Sequence, residues 1–251
     1  ELQKSKEIAA SACKYYDLTK DPYHKPTLGN LKSLLGSLDR PPINTPSTNT
    51  LDAWIEVIRN DFLGLCYRRM AESEEGVQYR EEYLRKALHP FHRALQLLNI
   101  MGEEIRDSCW HLWRGYVYRN LGRVYSELNM KDEGQDALSK ALSSRKDVHA
   151  DFQARKTPGL LLVQIALELV LTEMDLLTYD HEGIVMTLSE AVSALKSNKP
   201  PIQSLVVWIR AIAQAKELAR NLNEKDILNE LAIIEESYRA ELPYRWIYER
   251  Y

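Results

Sequence analysis

Arginine supplies the side chains with the clearest capacity for binding in this sequence. Arg119 and Arg123 are four residues apart in a helical pattern, so their side chains project together from one side of a helix. Arg68 and Arg69 form a second pair in an earlier helical segment. A guanidinium group makes paired hydrogen bonds to carboxylates and phosphates. The arginines therefore indicate a surface that could hold an acidic group.

Other residues with chemical potential do not form a catalytic pattern. His89 and His92 have a spacing that can ligate a metal on a helix, but Pro90 lies between them and no carboxylate motif accompanies them. Glycine-rich phosphate loops, dinucleotide-binding motifs and nucleophile elbows are absent from the sequence. We predict no catalytic residue, no metal and no cofactor, and no enzyme activity for this chain itself.

Composition restricts the class of protein and its partners. The 251 residues carry 33 basic and 36 acidic side chains, a net charge of −3, which argues against a general surface for nucleic acid. The longest apolar run, Leu160 to Leu171, contains Gln164 and Glu168 and is too short to span a membrane. We expect no membrane partner.

Cysteine usage indicates a reducing compartment. Cys13, Cys66 and Cys109 are three in number, widely spaced, and each lies in an apolar helical pattern. An odd number without a CxxC motif does not make a disulfide framework. Buried free thiols are the better interpretation, and they favour an intracellular, cytoplasmic location.

Helical periodicity runs through the whole chain and predicts an all-α protein of about ten helices. We divide it into an N-terminal helical pair (1–40), a proline-rich linker (41–50), a helical domain (51–241) and an aromatic C-terminal segment (242–251). The chain begins at Glu1 inside a helical pattern. We therefore expect a trimmed chain or a part of a longer one with additional domains.

Apolar spacing places the helices that position the arginines. It predicts helices over 51–71, 79–100, 103–128 and 132–145, with Pro90 kinking or splitting the second of these. A polar stretch, Lys146 to Lys156, follows. Four further helices are predicted in the remainder of the chain up to Tyr238, with start signals near Thr157-Pro158, His181, Pro200-Pro201 and Asn223.

One stretch of about 30 residues has a recognisable spacing of large and small residues. It consists of Tyr118, Leu121, Gly122, Tyr125, Gly134, Leu138 and Ala141. This pattern resembles the tetratricopeptide repeat, a helix–turn–helix unit that stacks into solenoids. The resemblance implies that Gly122 and Gly134 lie where the two helices approach closely.

Weaker copies of the pattern occur elsewhere. Leu63, Gly64 and Tyr67 repeat the first half, and Ala87, Phe91 and Ala94 repeat the second half after an insertion. A later pair of helices carries Trp208 at the equivalent position. Because the intervals are unequal, we expect an irregular, tetratricopeptide-like right-handed stack of antiparallel helix pairs, an alpha–alpha superhelix.

The resemblance also implies where a partner binds, since first helices line the concave surface in this family. On the best unit that surface holds Tyr116, Arg119, Arg123, Ser126 and Glu127. On the preceding unit it holds Asp61, Leu65, Arg68 and Arg69. A second interpretation is that the arginines pair with neighbouring carboxylates, namely Glu127, Glu72 or Asp61.

Two functional hypotheses follow. The first is a protein-interaction scaffold or sensor module of a larger signalling or defence protein, which binds an acidic peptide or protein on its concave face. The alternative is binding of nucleic acid or a phosphate ligand in the arginine groove, against which the near-neutral net charge argues.

Overall fold

The computed structural model describes residues 31, 32, 35, 50–73, 76–102, 105–155, 159–176, 180–198 and 205–240. Every regular element in these ranges is helical, so the described part of the chain is all-α. The described elements are eight α-helices and one 3-10 turn at Val77–Tyr79. In chain order the α-helices are α1 Thr50–Glu72, α2 Arg80–Met101, α3 Ser108–Glu127, α4 Lys131–Ala154, α5 Gly159–Met174, α6 His181–Ser197, α7 Leu205–Asn221 and α8 Lys225–Ala240.

Several predicted segments lie outside the described residues. Of the N-terminal pair, only Leu31, Lys32 and Leu35 are described, and all three are helical. The linker lies outside except for Thr50, which begins α1, and the aromatic segment 242–251 lies outside entirely. Pro90 is buried within α2, which continues through it.

Two helix boundaries differ from the predictions. The helix predicted from residue 103 begins at Ser108, because the Asp107 carboxylate accepts a hydrogen bond from the Trp110 amide and caps the helix there. The helix predicted to end near Arg145 continues to Ala154. The prediction of its end was wrong because Val148, which is fully buried, anchors the mostly polar last turns in the core, and Phe152 one turn later is partly buried.

The described residues fall into two compact units, divided within α4 between Ala137 and Leu138. In the first unit α2 packs against both α1 and α3. The core is formed by Val57, Phe91, Leu98, Val117 and Val124, together with Leu31 from the N-terminal region. Burial of these apolar side chains is the main source of stability for the unit.

A close approach of α1 and α2 in the first unit depends on Gly64. A Cβ atom at this position would lie 2.5 Å from Cε1 and Cζ of Phe91. The Phe91 ring is fully buried in the core and has no room to move aside. Glycine at position 64 therefore allows the aromatic ring of α2 to pack directly on the α1 backbone.

In the second unit, α5 packs against α6 and α7 packs against α8. Its core contains Val163, Leu188, Ile212 and Leu231, with Trp208 and Tyr238 in edge-to-face contact at 6.1 Å. The Tyr238 hydroxyl lies within hydrogen-bonding distance of the Leu195 and Asn198 carbonyl oxygens. These contacts join the end of α8 to the end of α6.

Candidate partner-binding surface

Helices α1 and α3 lie side by side and run in the same direction. Asn120 on α3 donates a hydrogen bond to Asp61 on α1 at 2.9 Å, and Arg68 on α1 donates one to Glu127 on α3, also at 2.9 Å. Both pairs are 59 residues apart in sequence. A constant offset over seven residues of each helix requires a parallel arrangement, because an antiparallel one would reverse the order of partners.

This register agrees with the spacing of the sequence pattern. Leu63 and Leu121, like Gly64 and Gly122, are 58 residues apart, one residue from the observed offset. Between the two parallel helices, α2 runs in the opposite direction. Its first residue, Arg80, contacts Glu127 at the end of α3, and Leu98 near its end accepts a hydrogen bond from Trp110 at the start of α3.

A charge network joins the ends of α1, α2 and α3. Glu127 accepts hydrogen bonds from Arg68 and from Arg80, each at 2.9 Å. Arg68 also forms an ion pair with Glu72 at 2.7 Å, and Arg69 pairs with the other oxygen of Glu72 at 3.1 Å. Arg68 and Arg69 therefore pair with neighbouring carboxylates, as the second interpretation of the sequence predicted.

The α1 half of the predicted groove requires a correction. Arg68 is only 7% exposed, Leu65 is 5% exposed, and Asp61 is fully buried. These side chains hold helices together and do not line an open surface. The physical reason is that Arg68 compensates its burial with two carboxylates, one of them 59 residues away.

The faces of α3 are fixed by its contacts within the first unit. Val117, Leu121 and Val124 point into the core, and Asn120 and Glu127 face α1. On another side, a Cβ atom at Gly134 of α4 would lie 3.2 Å from the Gly122 carbonyl oxygen and 2.8 Å from Ser126 Oγ. The side opposite the core carries four residues, hereafter the α3 stripe: Leu112, Tyr116, Arg119 and Arg123. Ser126, predicted on the same surface, lies against Gly134 of α4.

The α3 stripe has an apolar half and a basic half. Leu112 and Tyr116 are partly exposed, and the Tyr116 ring contacts Trp113 at a centroid distance of 5.9 Å. Arg119 and Arg123, one and two turns further along, are also partly exposed. Sequence reasoning found Tyr116 and both arginines but missed Leu112, whose apolar character in a helical pattern indicates packing and not exposure.

The repeat-packing residues of the first unit lie at or near its core. Leu121 and Gly122 are buried, and Leu63, Tyr67, Tyr118 and Tyr125 are partly buried against the core. Leu138, Ala141 and Trp208, which belong to the second unit, are also buried. Their burial is that of packing residues and not of a binding site.

Aromatic and basic side chains stack along α3 beside the stripe. The Arg114 guanidinium lies 5.1 Å from the Trp110 ring and 5.0 Å from the Tyr118 ring. His92 on α2 and the Tyr125 hydroxyl are 2.8 Å apart. Burial, together with the nearby His89, lowers the pKa of His92. Burial and the nearby Glu133 carboxylate raise the pKa of Tyr125. At neutral pH this pair is a neutral hydrogen bond between two helices.

Comparisons with known proteins identify no family for this chain. No model of a known protein family, no curated protein and no solved structure matches this chain. Among the described residues, no three His, Cys, Asp or Glu side chains gather as a metal site. Within the same ranges, none of the helices combines the length and apolar character needed to cross a bilayer.

Proposed function

We propose that this chain is a protein-interaction module with an irregular tetratricopeptide-like arrangement, which binds a peptide or protein partner along the α3 stripe. The observation that carries the proposal is the parallel register of α1 and α3, defined by Asp61–Asn120 and Arg68–Glu127. Parallel first helices joined by an antiparallel second helix are the arrangement that the repeat pattern implies.

Charge supports the choice of α3 as the binding helix. The α3 stripe itself contains two arginines and no acidic residue. A partner with complementary negative charge gains both affinity and speed of association from such a surface.

The alternative function, binding of nucleic acid or a phosphate ligand, receives less support. It relied on four arginines in one groove, but Arg68 is buried and both Arg68 and Arg69 pair with Glu72. Two arginines on a chain of net charge −3 make a small electrostatic footprint for nucleic acid.

The test compares proteins retained from source lysate by the wild-type chain and by Arg119→Glu/Arg123→Glu, read by quantitative mass spectrometry. A matched control, Arg85→Glu/Lys86→Glu, changes the charge equally on the exposed face of α2. We expect partners retained by the wild type and the control but lost from the α3 variant. Equal retention by all three proteins would contradict a binding site on the α3 stripe.

A further inference from the structure

Two histidines on the outer side of α2 keep a helical spacing although Pro90 lies between them. The helix continues through Pro90, and His89 and His92 are both exposed. Residues three apart on an α-helix are neighbours, with Cβ atoms about 5–6 Å from each other. After burial, the charge of His89 is the second cause of the lowered pKa of His92, as expected for imidazole groups that lie close together. The two imidazoles can therefore act on one ligand.

A third donor reaches this pair from α3. The Tyr125 hydroxyl oxygen lies 2.8 Å from Nε2 of His92, and the centroids of the two rings are 6.1 Å apart. Two ligand atoms on one metal ion, each bound at about 2.0–2.1 Å with an angle of about 90–110° between the bonds, lie about 2.9–3.4 Å from each other. The nitrogen and the oxygen are thus already close to the separation that a shared metal ion requires.

The charge around these donors suits a cation. Burial is the main cause of the raised pKa of Tyr125, and the Glu133 carboxylate adds to it, so a negative charge lies near the hydroxyl group. The lowered pKa of His92 keeps its imidazole neutral at pH 7, and the neutral imidazole is the form that binds metal ions. Glu133 itself is exposed. The carboxylate that the local sequence of α2 lacks is therefore supplied by α4.

We propose that His89, His92 and Tyr125 form a binding site for a divalent transition metal ion, with Zn²⁺ and Cu²⁺ the ions that best suit two imidazoles and a phenol oxygen. Because one of its three ligands is a tyrosine, the site differs from a cluster of three His, Cys, Asp or Glu side chains, which the described residues do not form. Water completes the coordination of the ion. Mg²⁺ and Ca²⁺ prefer oxygen ligands and do not bind here.

The bound ion connects α2 to α3 at the surface of the first unit. It replaces the hydrogen bond between His92 and Tyr125 with two bonds to the metal. Because the unfolded chain does not hold the three ligands together, binding stabilises the folded state by mass action. The site uses none of the residues of the α3 stripe, so this inference and the proposed function can each fail without the other.

The experiment is titration of Zn²⁺ into the full, untagged chain by isothermal titration calorimetry, after removal of metal with a chelator. We expect saturable binding to the wild type, weakened about tenfold or more in His89→Gln and in His92→Gln, because each variant loses a ligand. Tyr125→Phe should weaken binding less, since its raised pKa keeps this hydroxyl protonated. The matched control is His181→Gln, which changes an exposed histidine 3.5 Å from Glu224 in the second unit and should bind Zn²⁺ as the wild type does.

The melting temperature provides a second readout. Zn²⁺ should raise it in the wild type and in His181→Gln but not in His89→Gln, and Mg²⁺ should leave it unchanged in all three proteins. Because His89 is exposed, its substitution keeps the test valid even if His92→Gln disturbs the contact with Tyr125. Absence of Zn²⁺ binding to the wild type, undiminished binding to both His89→Gln and His92→Gln, or binding lost only in His181→Gln would overturn the inference.

Discussion

Arg68 of α1 donates a hydrogen bond from Nε to Oε1 of Glu127 on α3 at 2.9 Å, although the two residues are 59 positions apart. The same carboxylate binds Arg80 at the start of α2 through its second oxygen. One glutamate therefore connects three helices of the first unit. Arg68 is almost completely buried, so this contact and the ion pair with Glu72 compensate for the loss of hydration of its charge.

Substitution of Glu127 should destabilise the first unit. Glu127→Gln keeps the size of the side chain but removes the charge that faces Arg68 and Arg80. We expect the free energy of unfolding to fall by about 1–3 kcal/mol, because a buried guanidinium loses an ionic partner. Urea denaturation measures the change. The control is Glu81→Gln, which removes an exposed pair with Arg85 and should cost less than about 0.5 kcal/mol. Equal losses of unfolding free energy in the two variants would contradict a role of Glu127 in holding the three helices together.

Gly64 should tolerate no side chain as long as Phe91 is present. In Gly64→Ala the new methyl group overlaps the Phe91 ring, which cannot move within the core. We expect a loss of about 1–3 kcal/mol in the free energy of unfolding. Phe91→Leu removes part of the ring that the new methyl group would meet. It should therefore lower the free energy of unfolding less in the Gly64→Ala protein than in the wild type, a difference that a double-mutant cycle measures. Additive losses would contradict the close contact.

Acid should destabilise the fold through two histidines. Burial lowers the pKa of His92 in the first unit, and burial likewise lowers the pKa of His149 in the second, with Glu190 opposing the change. With the pKa lowered in the folded state, these histidines bind protons more readily in the unfolded chain. The free energy of unfolding is therefore highest above the ordinary histidine pKa of 6.5 and falls as the pH drops through and below that value. His92→Gln/His149→Gln should reduce the difference in melting temperature between pH 7.5 and pH 5.5. His181→Gln, at an exposed position, is the control. If the difference in melting temperature between the two pH values is unchanged in the double variant, His92 and His149 are not the cause of the acid destabilisation.

The described cysteines should differ in reactivity. Cys66 is fully buried, and burial raises the pKa of its thiol to about 12. Cys109, which the sequence predicted to be buried, is exposed, although partial burial of the thiol and the Asp107 carboxylate also raise its pKa. Because the thiolate is the reactive form, Cys66 should react with a thiol reagent at pH 8 only after unfolding. In a Cys13→Ser background, titration of the native protein should count one thiol and titration in denaturant two. Two reactive thiols in the native protein would contradict the burial of Cys66.

The sequence predicted the helices of the described region and much of their packing. The spacing Ala87, Phe91, Ala94 predicted three residues on one face of α2, and all three are fully buried. These features follow from local periodicity, which the sequence contains directly. The continuation of α4 to Ala154 was not predicted because Val148 is the one fully buried residue between Lys146 and Ala154, which makes too weak a periodic pattern.

The proposed binding surface was less predictable from the sequence, because it depends on contacts between distant residues. Arg68 has the composition of a surface residue, and nothing near it in sequence reveals Glu127 as its partner. The sequence shows Leu112 as an apolar residue of a helix but not which side of that helix is covered. The partial exposure of that side follows from the positions of α1, α2 and Gly134 around α3, which only the structure provides.

The repeat interpretation and the position of the α3 stripe both depend on the parallel, in-register arrangement of α1 and α3. Double-mutant cycles for unfolding test it directly. We predict coupling energies of about 1–2 kcal/mol for Asp61→Ala with Asn120→Ala and for Arg68→Ala with Glu127→Ala. The crossed pairs, Asp61 with Glu127 and Arg68 with Asn120, should couple by less than about 0.5 kcal/mol. Strong coupling in the crossed pairs, with none in the matched pairs, would contradict the parallel register.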